Sequence, residues 1–269
     1  MLIAILTTAG FTIYRVSTVD TTNSDFVFGL VLILNAVCLV AMVIDGVLRE
    51  RPSELFILSV ATVFILVYMI VNFAAGSQGN VKLARLVVAC VLSPFLFVMG
   101  LIIAWEYHVS KHLIFRTVGA NEMLQNLYRH LLVFQDCLKL DVQLAASMIL
   151  LIVVPQLSLR TRDIVILSVG GAITFAWFFL GFFAFPKESK ISAILFLLFS
   201  PAEIGYVCYK MYDVSHYIDA YPGLAGATIA CGVLALCVRL IVIAGSLLVF
   251  RGFGNGLKEK LQESPRSSC

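Results

Sequence analysis

The chain has 269 residues, of which 61% are hydrophobic and only 13% are charged, and its formal net charge is +3. A soluble domain usually carries about a quarter charged residues and less than half apolar residues, so this composition excludes an ordinary water-soluble fold. The weak net charge does not indicate nucleic acid as a partner. We therefore expect one all-α membrane domain, a polytopic transmembrane helix bundle whose main partner is the lipid bilayer.

The first segment, from Met1 to Tyr14, is apolar but short. A helix needs about 20 apolar residues to cross a bilayer core of about 30 Å. A signal peptide would begin with basic residues, and no Lys or Arg precedes this segment. We assign residues 1–25 to an N-terminal apolar stub and linker. The stub is expected to be a partial or tilted helix, with a short eighth span, a membrane-surface helix and the remnant of a longer N-terminus as alternatives.

Residues 26–250 contain seven apolar runs that are long enough to cross a bilayer. Charged and helix-breaking residues separate these runs. The fourth run is the shortest, so we expect its helix to begin earlier, inside an amphipathic segment. The predicted spans are Phe26–Leu48, Leu55–Phe73, Leu86–Tyr107, Leu138–Val154, Ile164–Phe185, Ile191–Tyr209 and Gly223–Phe250.

The distribution of basic residues indicates the orientation of these spans. With the N-terminus outside, the cytosolic segments hold about twice as many Lys and Arg residues as the opposite side, and short loops rich in these residues stay in the cytosol. This bias predicts a cytosolic C-terminus, with residues 251–269 forming a cytosolic tail.

The longest connection between predicted spans contains a cytosolic amphipathic helix over residues 121–137. Its apolar residues recur at helical spacing, and Asn121 is a typical residue at the start of a helix. Amphipathic helices of this kind lie in the membrane surface. We expect it either to close the cytosolic face of the bundle or to dock a protein partner or an anionic lipid. The residues of this candidate partner or lipid surface are Leu124, Tyr128, Arg129 and Leu131.

The same connection enters the fourth span through the sequence YRHLLVFQDCLKLD, residues 128–141. This stretch resembles a motif of uncharacterised multi-pass proteins of Golgi-type membranes, in which a Tyr and an aromatic-Gln-like pair precede Leu-Lys-aromatic-Asp. Leu140 stands where that motif has an aromatic residue. The resemblance implies a multi-pass topology and an endomembrane location, and it implies no reaction. The matching positions are Tyr128, Phe134, Leu138, Lys139 and Asp141.

Two ionisable residues, Glu203 and Arg239, fall deep inside the sixth and seventh predicted spans. Each costs roughly 2.5–3.5 kcal/mol at the bilayer centre unless it is compensated. At 1.5 Å per residue, Glu203 lies about 18 Å and Arg239 about 17 Å from the cytosolic ends of their spans, so we expect them to face each other. Pro201 frees a backbone carbonyl and is predicted to kink the sixth span. The pair is either a structural clamp or part of a polar pathway.

A second polar group is predicted near the cytosolic ends of the spans, as an inner polar ring. It consists either of interfacial residues that reach the headgroups or of the vestibule of an ion or substrate pathway. His108 and His112 stand four residues apart, a spacing that can share a metal ion, but no further ligand cluster accompanies them and we expect neither a metal site nor a cofactor. The members of the ring are Asp45, Glu106, Lys139 and Asp141.

The function that these patterns favour is that of a non-catalytic multi-pass membrane protein of the endomembrane system, acting through protein or lipid partners. Hydrolase and metalloprotease motifs are absent from the sequence, so we do not expect an enzyme. Small residues between Gly223 and Cys231 allow close helix packing, within the chain or in a homodimer. A transporter or channel for a small polar solute or ion, with Glu203 and Arg239 in its pathway, and a seven-span receptor are the alternatives. The plasma membrane is the alternative location.

Overall fold

The structure is a computed structural model that describes residues 2–18, 24–75, 80–110, 112–152, 161–216 and 222–263. Within these ranges all regular structure is helical, which confirms the all-α prediction. The helices in chain order are α1 (Leu2–Thr18), α2 (Ser24–Leu48), α3 (Pro52–Ala75), α4 (Asn80–Ser110), α5 (His112–Val118), α6 (Glu122–Ile152), α7 (Thr161–Ala184), α8 (Lys190–Ser215), α9 (Pro222–Arg251) and α10 (Leu257–Glu263).

Five helices are long and apolar enough to cross a membrane, counted over the part of the chain that the structure describes. The predicted number of seven spans is not confirmed. The middle of α6 carries three charged residues within a few turns, and α7 offers only the shorter apolar stretch Ser168–Ala184. The predicted end of the fourth span at Val154 lies outside the described residues. The candidate spans are Phe26–Leu48, Pro52–Val71, Leu86–Ser110, Lys190–Ser215 and Ala225–Arg251.

The apolar N-terminal segment forms α1, a helix of 17 residues. This length is short of the 20 or so residues that a span requires. The helix packs along α2, and Ile5 and Thr12 on one of its faces are buried, whereas Tyr14 is exposed. The N-terminal helix therefore belongs to the packed bundle. The linker at positions 19–23 lies outside the described residues.

Two helices, α6 and α9, occupy the middle of the bundle. The first packs against α2, α3, α5, α7 and α9, and the second packs against α3, α6 and α8. Small side chains of α9 face the interior, since Ala227 and Cys231 are buried and the Cys231 thiol lies 3.5 Å from the carbonyl oxygen of Leu144 on α6. This part of the small-residue face packs within the chain.

One end of the bundle carries the short helices α5 and α10, which contact each other; we call it the α5/α10 end. The turn between α7 and α8 also lies there, because the Glu188 carboxylate accepts hydrogen bonds from the backbone N–H groups of Gly254 and Lys258 at 3.2 and 3.3 Å. Phe185 packs on Phe253 beside this turn, with ring centroids 5.8 Å apart. The α5/α10 end corresponds to the side that the distribution of basic residues predicts to be cytosolic.

The predicted amphipathic helix is the first half of α6, a continuous helix of 31 residues. Its apolar face is not available for docking: Leu124, Tyr128 and Leu131 are only 7%, 5% and 2% exposed. The short helices α5 and α10 both pack against α6. The prediction of a partner or lipid surface on these three residues is wrong, because the chain's own neighbouring helices bury the apolar stripe. Arg129 is half-buried.

Candidate functional site

A cluster of three ionisable side chains lies in the interior between α6, α8 and α9. Atom Nη1 of Arg239 lies 2.8 Å from Oε2 of Glu203, which confirms the predicted contact. The same guanidinium also binds Asp141, through Nη2 to Oδ2 at 2.6 Å and through Nε to Oδ1 at 3.3 Å. All three side chains are at most 2% exposed. We call Asp141, Glu203 and Arg239 the deep cluster.

Helix α7 supports the deep cluster with two side chains. The hydroxyl of Thr174 lies 3.0 Å from the carboxylate of Glu203 and donates a hydrogen bond to it. The guanidinium carbon of Arg239 lies 4.9 Å from the ring centroid of Trp177, where the negative face of the ring attracts a cation. Trp177 is itself held by a hydrogen bond from its indole nitrogen to the carbonyl oxygen of Phe196 at 3.2 Å. Four helices therefore contribute to the environment of one guanidinium.

Asp141 does not lie in the predicted inner ring, and this assignment is corrected. The prediction placed it near the membrane surface because the apolar run begins only at Leu138. In the structure Lys139 faces α2 and α3, whereas Asp141, two residues further on, lies on the opposite face of α6 and contacts Arg239 on α9. Asp141, Leu144 and Met148 are buried along one helical row of α6. The spacing of these three residues in the sequence shows that they share one face of α6, and only the structure shows that this face meets Arg239.

A small space of about 10 Å³ lies beside the deep cluster. About 10–15 Å³ is the least that a single water molecule requires, so this space holds one water at most. Lys210, which is 1% exposed, borders it and lies 3.5 Å from the carboxylate of Asp213. The buried hydroxyl of Tyr206 has no hydrogen-bond partner among the described residues. Of the wall residues, the polar ones are Thr174, Glu203, Tyr206, Lys210 and Arg239.

Pro201, the predicted kink, lies inside α8 two residues before Glu203. The helix continues through it from Lys190 to Ser215. The hydroxyl of Ser200, next to the proline, donates a hydrogen bond to the carbonyl oxygen of Phe196 at 2.8 Å. The bending of the axis at Pro201 stays a prediction.

A second group of charges joins α2, α3 and α6 at the α5/α10 end. The ammonium of Lys139 lies 2.8 Å from Asp45, 2.5 Å from Glu54 and 3.6 Å from Asp136. Glu54 and Asp136 are fully buried. The contact between Asp45 and Lys139 agrees with the predicted ring. With Arg51, these side chains form what we call the inner cluster.

Arg51 completes the inner cluster from the turn between α2 and α3. Its Nη1 lies 3.6 Å from Asp136 and 4.0 Å from Asp45, while the Ser53 hydroxyl donates to Asp136 at 2.5 Å. Burial raises the pKa of Asp136 above its ordinary value, against the opposing effect of the nearby Lys139 and Arg51. The two cations, Arg51 and Lys139, each lie within 4.0 Å of two or more of the three carboxylates, so the ion pairs offset part of the cost of burying these charges.

The remaining predicted residues lie apart from these clusters. Glu106 is exposed on α4 and forms no ion pair with a described residue of the ring. His108 lies in the last turn of α4 beside Trp105, with ring centroids 6.4 Å apart, whereas His112 begins α5. These histidines therefore do not share one helix face. No group of three or more potential metal ligands occurs among the described residues.

Sequence reasoning missed Arg51, Glu54 and Asp136 of the inner cluster, and also a neutral network further along α6. The Gln143 amide donates to Asn35 on α2 at 2.6 Å, and the Asn35 amide donates to Ser147 at 3.0 Å. On α6 the row that faces α2 and α3 has the spacing i, i+3, i+7 and i+11, which the sequence shows once the helix is extended back to Glu122. That row is Asp136, Lys139, Gln143 and Ser147.

Fold and site together define a helical membrane protein with five candidate spans, whose buried charges join its helices in two clusters. The chain belongs to the family of the Domain of unknown function (DUF7789), whose model matches residues 1–105 and 118–248. Both clusters fall within the matched residues. The comparisons with curated proteins and with solved structures found no match.

Proposed function

We propose that the protein is a non-catalytic multi-pass membrane protein of the endomembrane system that acts through protein or lipid partners. In this proposal its buried charges hold the helices of the bundle together. The observation that carries it is the closure of the deep cluster: Arg239 is 1% exposed and lies within 2.8 Å of both Asp141 and Glu203. The charged groups of the deep cluster therefore bind each other.

The space around the deep cluster supports this reading over a solute pathway. Pockets for small molecules usually measure about 300–1,000 Å³, whereas the space beside Glu203 and Arg239 measures about 10 Å³. A planar guanidinium that binds one carboxylate with two nitrogens and a second carboxylate with the third is well suited to fasten helices. Removing such a charge from its partners would leave the others buried and uncompensated.

The inner cluster also supports the proposal that buried charges hold the helices together. Lys139 on α6 joins Asp45 on α2 to Glu54 on α3, and Asp141, two residues further on, joins α6 to α9. Helix α6 thereby connects α2 and α3 to α9 through charged side chains on its opposite faces. The endomembrane location is supported by the resemblance of residues 128–141 to proteins of Golgi-type membranes.

Flux measurements on purified protein in liposomes test the proposal. Vesicles loaded with a pH-sensitive dye should show no protein-dependent flux of protons or of small ions, and the variant Glu203→Gln should behave like the unmodified chain. A flux that Glu203→Gln abolishes would contradict the proposal, provided that Glu106→Gln, at an exposed position on α4, leaves the flux intact. A fluorescent fusion should label internal membranes, and labelling confined to the cell surface would contradict the proposed location.

The second candidate is a proton- or ion-coupled transporter, and one specific observation favours it. Glu203, Tyr206, Lys210 and Asp213 follow each other on α8 at spacings of three and four residues, and thus on one helix face. The row leads over about 15 Å from the deep cluster to the carboxylate of Asp213, which is 36% exposed. This candidate predicts the flux that the liposome experiment measures.

A further inference from the structure

An apolar cavity lies between α1, α2, α3 and α4, away from both charged clusters. Its volume is about 220 Å³, and none of the described side chains that line it is charged. The walls are mostly aliphatic, with a few hydroxyl groups. Representative wall residues are Ile5, Leu32, Ala36, Met69, Ala89 and Leu92.

Hydroxyl groups in the wall form hydrogen bonds within their own helices. Thr12 donates to the carbonyl oxygen of Thr8 at 2.8 Å, and Thr62 donates to that of Ser59 at 2.7 Å. The hydroxyl hydrogens of Thr12 and Thr62 are therefore engaged within their own helices, and most of the other wall residues are apolar. Cavities with such walls stay free of water and bind apolar molecules.

The position of the cavity along α3 places it in the hydrocarbon region of a bilayer. Glu54 marks the inner cluster, and the wall residues Thr62 and Met69 follow it by eight and fifteen residues. At 1.5 Å per residue these positions are about 12 and 22 Å from the inner cluster. The charges and headgroups of the α5/α10 end are therefore distant from the cavity.

The cavity faces the surrounding lipid between α1 and α4. The first of these helices packs on α2, and the second packs on α3, so the two pairs of helices form opposite sides of the space. Phe11 on α1 and Val88 on α4 belong to the wall and are 46% and 43% exposed. In a membrane, these exposed side chains contact acyl chains.

We propose that this cavity binds the terminal part of a lipid acyl chain, which enters from the bilayer between α1 and α4. The inference rests on the proposed function, since it names a lipid as one partner. The absence of charge among the described wall residues does not suit a phosphate headgroup, which has to stay at the membrane surface. A dry cavity of about 150 Å³ accommodates a benzene ring, so 220 Å³ accommodates a short hydrocarbon segment and not a whole lipid.

Photo-cross-linking in vesicles tests the inference. The full chain is reconstituted in phosphatidylcholine that contains a small fraction of the same lipid with a diazirine at the end of one acyl chain, and adducts are mapped by mass spectrometry after irradiation. We expect adducts to concentrate on cavity-wall peptides of α1, α2 and α4. The two separate variants Ala36→Phe and Ala89→Phe fill the cavity and should each lower this yield several-fold. Ala176→Phe, at an exposed position on α7, should leave it unchanged.

Two results would overturn the inference. One is an adduct distribution that is even over all lipid-facing helices and insensitive to both Ala36→Phe and Ala89→Phe. The other is preferential capture of a diazirine-bearing sterol at the cavity wall in parallel vesicles. If the cross-linking fails and the liposomes show no solute flux, the proposed function stands, with proteins as the partners. If the liposomes show a flux that depends on Glu203, the proposed function is contradicted, but the binding of an acyl chain in the cavity is not.

Discussion

Replacement of Arg239 by Met would leave two buried carboxylates without the guanidinium that they share. Arg239 is 1% exposed and lies 2.6 Å from Asp141 and 2.8 Å from Glu203. Methionine is unbranched and flexible and fills irregular apolar space, so it can occupy much of the same volume above the ring of Trp177. The variant therefore removes mainly charge and hydrogen bonds, and we expect a strongly destabilised protein.

The magnitude follows from the burial of all three partners. Removing one member of a buried ion pair costs about 3–5 kcal/mol, because the other members stay buried and uncompensated. In a chain of this size each kcal/mol changes the Tm by about 2–4 °C, so Arg239→Met should lower the Tm by roughly 6–20 °C. The triple variant Asp141→Asn, Glu203→Gln and Arg239→Met leaves no charge in the cluster and should recover most of this loss.

Thermal unfolding of detergent-purified protein, followed by size-exclusion chromatography of the heated samples, measures these differences. Arg49→Met is the matched control, because the Arg49 side chain is 52% exposed and its partner Asp45 keeps a second ion pair with Lys139. An exposed pair contributes about 1 kcal/mol or less. If Arg239→Met melts at the same temperature as Arg49→Met, the deep cluster is in contact with water, and a hydrated pathway becomes the better explanation of Glu203 and Arg239.

Three further predictions concern single positions. Tyr206→Phe removes a buried hydroxyl without a described partner and should leave the Tm unchanged or raised; a lower Tm would show that a water in the adjacent space binds the hydroxyl. Gly181→Val should lower the free energy of unfolding by about 1–3 kcal/mol, because an added Cβ would lie 2.5 Å from the buried Phe196. The control Gly205→Ala has open space around the new Cβ and should be neutral or stabilising. Equal effects of the two variants would contradict the packing of Phe196 against Gly181. Because burial raises the pKa of Asp136, its contribution to stability is largest at low pH and is lost as the pH rises above about 4. The stability advantage of the unmodified chain over Asp136→Asn should therefore shrink from pH 4 toward neutral pH, and a growing advantage would mean that its ion pairs outweigh its burial.

Exchanging the charges of Glu203 and Arg239 tests the contact between Asp141 and Arg239. Exchanging Glu203 and Arg239 restores their mutual attraction, but it also places a carboxylate at position 239 beside Asp141. The double variant Glu203→Arg and Arg239→Glu should therefore recover only part of the folded yield. Adding Asp141→Asn to this double variant removes the repulsion and should raise the yield further. No gain from the third substitution would contradict the contact between Asp141 and Arg239.

The helices of the fold could largely be predicted, because the length and position of an apolar run can be read directly from the sequence. Four of the seven predicted spans begin and end within three residues of the ends of a described helix, and α1 occurs where the apolar N-terminal segment predicted a helix. The pairing of Glu203 with Arg239 could also be predicted, since both residues lie at one depth in successive helices. The start of the helix that carries Asp141 could not, because the amphipathic residues before Leu138 continue into the span without a break.

The sequence by itself determined that lipid is the main solvent, that the chain is helical, and that deep charges of opposite sign have to meet. These properties follow from the cost of exposing apolar surface to water and of burying unpaired charge. Only the tertiary structure decided that Asp141 binds Arg239, that Leu124, Tyr128 and Leu131 are buried, and that α1 to α4 line an apolar cavity. Helical periodicity shows which residues share a face of one helix. Which neighbour that face meets depends on how the helices are rotated and packed against one another.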